Sequence, residues 1–214
     1  MNLSIEQVWE RVIPMLWACD INAHVEAMDE AGIDKAVVMA VDWGMNEDVG
    51  EAPWSIEEIN KQVYEQVKEY PDKIHALCAV DPRRGEKAIQ LVEKAVQEWD
   101  MKGVKFHPTA GYYPDDPAFY PLYEKCLELD IPLCSHTAAT INAPFMSKFA
   151  NPIYLDTVAA KFPDLKILMI HFGSLSYTMN CVEIMACRPN VHAEFSGYQA
   201  HATTMPDYFL KTLR

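Results

Sequence analysis

The chain has 214 residues, half of them apolar, which is enough for one sizeable core. A formal charge of −13 and a pI near 4.9 argue against holding a polyanion such as nucleic acid through bulk charge. No apolar run approaches a membrane span, and Met1-Asn2-Leu3-Ser4-Ile5-Glu6 puts no basic region ahead of an apolar stretch, so no membrane segment or secretory leader is expected and a cytoplasmic location is the default.

Strand-like and helix-like patterns alternate from there on. A helix-like stretch over Ser4–Ala18 opens the chain. A second helix over Ala23–Glu30 is ended by Gly32 and leads into a strand at Lys35–Val41. Ser55-Ile56-Glu57-Glu58 is a capping box that starts a helix over Ile56–Glu69, and a strand at Ile74–Val80 follows. Glu86–Trp99 carries one apolar face of Ala88, Val92, Ala95, Val96 and Trp99, and precedes a strand at Gly103–His107. Asp116-Pro117 and Asn151-Pro152 each place a capping residue before a proline at a helix start. The helices they open precede strands at Ile131–His136 and Lys166–His171. A weaker helix over Ser174–Arg188, a strand at Val191–Ser196 and the start of a helix at Met205–Arg214 complete the series. Every strand is short and apolar, as strands covered on both faces are.

Alternation of this kind predicts a parallel sheet with right-handed crossovers. A doubly wound sheet would show a glycine-rich phosphate loop after its first strand, and none is present. A (β/α)8 TIM-type barrel fits better, because polar residues gather at the strand ends: Asp42, Asp81, Lys105, His107, His136, His171, Glu194 and Ser196. The predicted strands number six, however, and a closed barrel of this type has eight in about 250 residues. The expectation is one partial barrel domain over residues 1–214. Its two open edges would favour association into a homo-oligomer.

The two-residue period of a strand assigns faces. It pairs Lys105 with His107 toward the barrel interior and Val104 with Phe106 toward the helices. It groups His136 with Cys134 and Pro132, His171 with Met169 and Ile167, and Glu194 with Ser196. Imidazole is a common metal ligand and general base, so His136 and His171 on neighbouring strands point to a metal or acid/base centre. Each residue has a plainer reading too. Lys105 could be a rim lysine with its stem packed on the barrel. His107, which precedes Pro108, could be structural, and Glu194 leans toward a paired structural carboxylate. His24, His75, His192 and His201 read as surface or supporting residues, and Trp17, Trp43, Trp54 and Trp99 as core or pocket wall. The six cysteines, Cys19, Cys78, Cys126, Cys134, Cys181 and Cys187, form no CxxC pair and read as free thiols of a reducing compartment.

Several segments together resemble a known family. They are Ala27-Met28-Asp29-Glu30-Ala31-Gly32-Ile33-Asp34-Lys35-Ala36-Val37-Val38, then Gly103-Val104-Lys105-Phe106-His107-Pro108. Tyr120-Pro121-Leu122-Tyr123-Glu124 with Ile131 through Thr137, Phe162-Pro163-Asp164 through His171-Phe172-Gly173, and Pro189-Asn190-Val191 through Ser196-Gly197 complete the set. In order and spacing they resemble the amidohydrolase-related group of the metal-dependent hydrolase superfamily, which includes aminocarboxymuconate-semialdehyde and resorcylate decarboxylases and metal-free lactonases. The resemblance implies a distorted (β/α)8 barrel and a divalent metal, zinc being the expected ion. It implies His136 as a metal ligand, His171 as a group that activates water or contacts substrate, Lys105 as a pocket-facing catalytic residue and His107 as a substrate contact.

Two departures stand beside these matches. The relatives carry a His-x-His pair on the first strand and an aspartate after the eighth, and the pattern would place both beyond this chain. The expectation is therefore the central portion of a larger hydrolase or decarboxylase for small carboxylated or ring-derived molecules, weak or inactive as it stands. The alternatives are a non-catalytic barrel remnant and a metal-free lactonase-like hydrolase.

Overall fold

The structure, a computed structural model, describes residues 20–140 and 144–197. The helix-like stretches over Ser4–Ala18 and Met205–Arg214, with Trp17, Cys19 and His201, lie outside the described residues. Twelve main elements alternate along the chain. They are α1 (Ile21–Ala31), β1 (Ala36–Met39), α2 (Ile56–Val67), β2 (Ile74–Ala79), α3 (Glu86–Trp99) and β3 (Val104–Phe106). After them come α4 (Tyr120–Glu128), β4 (Leu133–His136), α5 (Ile153–Lys161), β5 (Ile167–Ile170), α6 (Ser174–Cys187) and β6 (Val191–Ala193). Each strand pairs in parallel with its sequence neighbour, in the order β1-β2-β3-β4-β5-β6. The sheet curls into a half-barrel, a TIM-type α/β fold with six strands among the described residues.

The helix signals act where the sequence puts them. Gly32 ends α1 in the left-handed conformation at φ 67°, and its N–H bonds back to Asp29 O. Ser55 and Glu58 form the reciprocal capping box of α2. Asp116 caps a single 3₁₀ turn, Pro117–Phe119, which leads into α4. On α3 the fully buried set is Ala88, Leu91, Val92, Ala95 and Trp99, so Leu91 takes the place expected of Val96.

The two faces of the sheet bury different things. Val104, Phe106, Leu133, Ile167 and Met169 join the main core with Val92, Tyr123, Leu155 and Ile184 from the helices. Leu77, Cys134 and Ile170, with Met39 and Leu168 against them, form a separate small cluster on the concave face. The strand period thus sorts helix-facing from cavity-facing residues along β3, β4 and β5.

Two polar features brace the carboxyl ends of β1 and β2. β1 pairs with β2 only as far as Met39 and Leu77. Beyond that point the side chain of Asn60 on α2 takes the missing strand's place. Its Oδ1 accepts the Ala79 N–H at 2.8 Å, and its Nδ2 donates to Ala79 O at 2.8 Å and to Ile56 O at 2.8 Å. Asn60 is completely buried. The other feature is a pair of arginine forks. Arg84 donates to both Asp42 oxygens (Nε to Oδ2 2.6 Å, Nη2 to Oδ1 2.8 Å), and Asp42 Oδ2 also accepts the Asp81 N–H at 2.8 Å. Asp81 is held by Arg83 (Nε to Oδ1 3.0 Å, Nη2 to Oδ2 2.6 Å). Asp42 and Asp81, grouped by sequence with the strand-end chemistry, are therefore the buried halves of ion pairs, and the Arg84–Asp42 pair ties the loops after β1 and β2 together.

Candidate functional site

The concave face encloses a cavity of about 640 Å³, in the range of small-ligand sites. Its walls are largely apolar and include Leu77, Leu168 and Ile170. Into it project Lys105, His107, His136, His171, Glu194 and Ser196, together with Cys134. Of the strand-end residues read from the sequence, all but Asp42 and Asp81 meet in this one space. His136 and His171 share it with ring centroids 4.9 Å apart. Lys105 and His107 project into it from β3 and its end, while Phe106 packs on Tyr112 and on Tyr123 of α4.

His171 reaches the cavity by a route the strand period does not give. That period groups it with Ile167 and Met169, yet both of those face the helices. β5 stops at Ile170, and the next residues turn through the left-handed region: His171 at φ 68°, Phe172 at φ 43° and Gly173 at φ 73°. The reversal turns the imidazole back to the cavity side. A β-carbon at Gly173 would lie 2.7 Å from Thr178 N, so this tight passage into α6 demands glycine.

Glu194 fixes that turn. Its Oε1 accepts the His171 backbone N–H at 2.6 Å and the Ser196 Oγ–H at 2.7 Å, and its Oε2 accepts the Ser196 N–H at 2.6 Å. His171 Nδ1 lies 2.9 Å from Ser196 O and 2.7 Å from Ser196 Oγ. A carbonyl oxygen only accepts, so Nδ1 carries the hydrogen in the neutral ring, and Nε2 keeps its lone pair for a proton or an ion. This tautomer is expected in long-range ¹H–¹⁵N spectra of the neutral imidazole. Ser196→Ala keeps it, because the carbonyl remains, whereas Glu194→Ala releases the turn and gives mixed tautomers. A wild-type ring protonated on Nε2 would overturn the assignment.

His107 and His136 are held in the neutral form. Burial, then the nearby Lys105 and His171, holds His107 down to about 3. Burial first, then His107, Lys105 and His171, pushes His136 further down. His107 stacks on His136 with centroids 4.2 Å apart and rings 23° from parallel. Its Nδ1 is 2.7 Å from Thr109 Oγ1. Lys105 is buried, and desolvation lowers its amine to about 8 against weaker opposing influences from Cys134 and Glu194. The Cys134 thiol is pushed up to about 12 by burial and stays neutral.

His136 fits a metal ligand in one respect. Its Nε2 is buried without a hydrogen-bond partner among the described residues. Among the described residues, however, no group of three or more His, Cys, Asp or Glu side chains converges as a metal site. Catalytic zinc takes about three protein ligands. The stacking supplies one reason: two nearly parallel imidazoles do not aim their nitrogens at one point.

Of three neighbours of the site, sequence reasoning passed over Phe145, read Trp43 as core or pocket wall and read His75 as a surface or supporting residue. Trp43 stands edge-on to His107 at 5.5 Å and packs on Phe145 at 4.6 Å, so these two aromatics back the His107 ring. Trp43 directly follows Asp42 at the end of β1, and that was the available signal. Phe145 sits in a loop with no periodic pattern. His75, near the start of β2, lines the far end of the cavity, while His24 and His192 are exposed as read. Trp54 is exposed too and lies away from this cavity.

A family model described as Amidohydrolase matches residues 17–213. Among curated proteins, the chain is 26% identical over 174 residues to 2-keto-4-carboxy-3-hexenedioate hydratase of Sphingobium sp. strain SYK-6, covering 70% of this chain and 50% of the hydratase. Among solved structures it resembles an uncharacterised TIM-barrel protein of Bordetella bronchiseptica, with a TM-score of 0.65 and 23% identity over 83% of this chain and 59% of that one. It also resembles a 5-carboxyvanillate decarboxylase of Novosphingobium aromaticivorans, crystallised with manganese and 3-methoxy-4-hydroxy-5-nitrobenzoic acid. There the TM-score is 0.60 at 24% identity, over 76% of this chain and 53% of the decarboxylase. The structural likenesses show the fold. The chain spans about half the length of these relatives.

Proposed function

The chain belongs to the amidohydrolase family, and on that premise we propose that its cavity takes a small carboxylated or ring-derived molecule for hydrolysis or decarboxylation. The observation that carries this reading is the convergence of Lys105, His107, His136 and His171 on one largely apolar cavity. The lone pair left on His171 Nε2 supports it. His171 is the proton acceptor and donor, at a substrate atom or at a water. Glu194 and Ser196 hold its ring in the competent tautomer. His107 contacts the substrate, with Trp43 and Phe145 packed behind its ring. His136 would be one ligand of a divalent cation, which when bound would polarise the substrate or acidify a water. The manganese in the decarboxylase structure favours that class of ion and gives no preference for zinc. His136 is the one proposed ligand among the described residues. A metal-free, lactonase-like hydrolysis is the second reading, favoured by the stacking of His107 on His136, which sets the rings parallel rather than convergent.

Turnover of hydroxybenzoates, unsaturated dicarboxylates and their lactones, with and without added Mn²⁺, tests both readings. Where a substrate is turned over, His171→Ala should lower kcat by about 10²–10⁴-fold, the usual contribution of a positioned acid/base group. Equal turnover by the variant would remove His171 from the chemistry. Metal content measured alongside should fall well below one ion per molecule. One tightly held ion would mean that other groups complete the shell.

A further inference from the structure

The buried charges of this protein are not treated alike. Asp42 and Asp81 are buried, and each is gripped by an arginine fork. Lys105 is the buried lysine, yet among the described residues no carboxylate lies in ion-pair or hydrogen-bond contact with it. The groups around it are committed or neutral. Cys134, its register partner on β4, is a neutral thiol. The Glu194 carboxylate already accepts from His171 N–H, Ser196 N–H and Ser196 Oγ–H. His107 and His136 are stacked on one another and offer it no carboxylate. A buried cation without a partner is costly, and proteins resolve that cost by pairing it or by neutralising it. Here the amine borders a cavity that a small molecule can enter, and the apolar walls would strengthen any ion pair formed inside.

The geometry points to the Lys105 ammonium as a carboxylate receptor, which pairs with the carboxylate of an aromatic or unsaturated acid and lays its apolar body against Leu77, Leu168 and Ile170. This rests on the reading of the cavity as a small-acid site and specifies which group seats the acid. It also separates roles within the cavity: Lys105 selects the anion, and His171 moves the proton.

The test is binding without turnover, on the 214-residue chain in the presence of a chelator, so that it stands apart from the activity assay above. The probes are benzoate and its uncharged isostere benzamide, followed by calorimetry or ligand-observed NMR. Wild type should prefer benzoate. Lys105→Met should weaken benzoate by at least about tenfold, the size of one lost charge-assisted hydrogen bond, and leave benzamide within about threefold. Lys105→Arg, which keeps the charge, should retain most of the benzoate affinity. The proposal is overturned if wild type binds benzoate no better than benzamide, or if Lys105→Met binds benzoate like wild type. It is also overturned if both probes weaken together, which would make Lys105 a residue that merely shapes the cavity. The wild-type preference alone decides the matter should the methionine variant not fold. An enzyme that turns over substrate but shows no anion preference would sink this inference and spare the catalytic reading. Benzoate binding by an inactive protein would do the reverse.

Discussion

Replacing Arg84 with methionine should cost about 3–5 kcal/mol of folding stability, the price of a buried ion pair broken on one side. Asp42 is buried, and Arg84 supplies both bonds of the fork that compensates it. What remains in the variant is the Asp81 N–H at 2.8 Å and the Gly44 N–H at 3.2 Å, two neutral donors against a full charge. The bonds from Arg84 to Glu51 are a small part of the effect, because Glu51 is exposed and water takes over. Urea unfolding of wild type, Arg84→Met, Asp42→Asn and the double variant measures it. The double variant should recover much of the loss, since no charge is then stranded. A single-variant loss below about 1 kcal/mol would mean that water reaches Asp42 and that the loops after β1 and β2 are held by something else.

Asn60→Ala should cost about 2–4 kcal/mol, because it orphans two backbone groups at once. The Ala79 N–H and C=O face the side on which β1 has already left the sheet, and the Asn60 amide satisfies both. Alanine suits a helix better than asparagine does, so any loss comes from the sheet. Amide exchange at Ala79 provides the local reading: it should speed up more than exchange at Leu77, which is still paired with β1. Unchanged exchange at Ala79 would show that a repositioned strand or a water substitutes for the side chain.

Much of this architecture was legible because each strand obeys two rules at once. Lys105 and His107 face the cavity and Val104 and Phe106 the helices, as a two-residue period requires. The sequence reading failed where the period ends. It carried β5 one residue too far and grouped His171 with Ile167 and Met169, which face the helices, although it still expected the ring in a cavity shared with His136. Backbone handedness leaves no trace in hydrophobic patterning when the left-handed residues are His171 and Phe172 rather than glycine alone. Asp42 and Asp81 were misfiled for a related reason. A carboxylate after a strand looks the same in sequence whether it faces a cavity or an arginine, and Arg83 and Arg84 gave no periodic signal of their own. The Asn60 strut was invisible because a polar residue in an amphipathic helix reads as solvent-facing. The stacking of His107 on His136, which depends on side-chain rotation, lay beyond any argument from spacing.

The left-handed passage after β5 sets two selective pressures against each other. Non-glycine residues at positive φ are held there at a cost of roughly 1 kcal/mol or more each, and His171, Phe172 and Ser174 are three in four consecutive positions. A glycine at 171 would relax the chain and erase the imidazole in the same stroke. Drift toward robustness would therefore remove the proposed proton-transfer group before it unfolded the protein. Laboratory evolution for heat tolerance, run without an activity screen, would be drawn to this corner early. A descendant that has lost its chemistry should carry the record here, as an easier backbone where the histidine once stood.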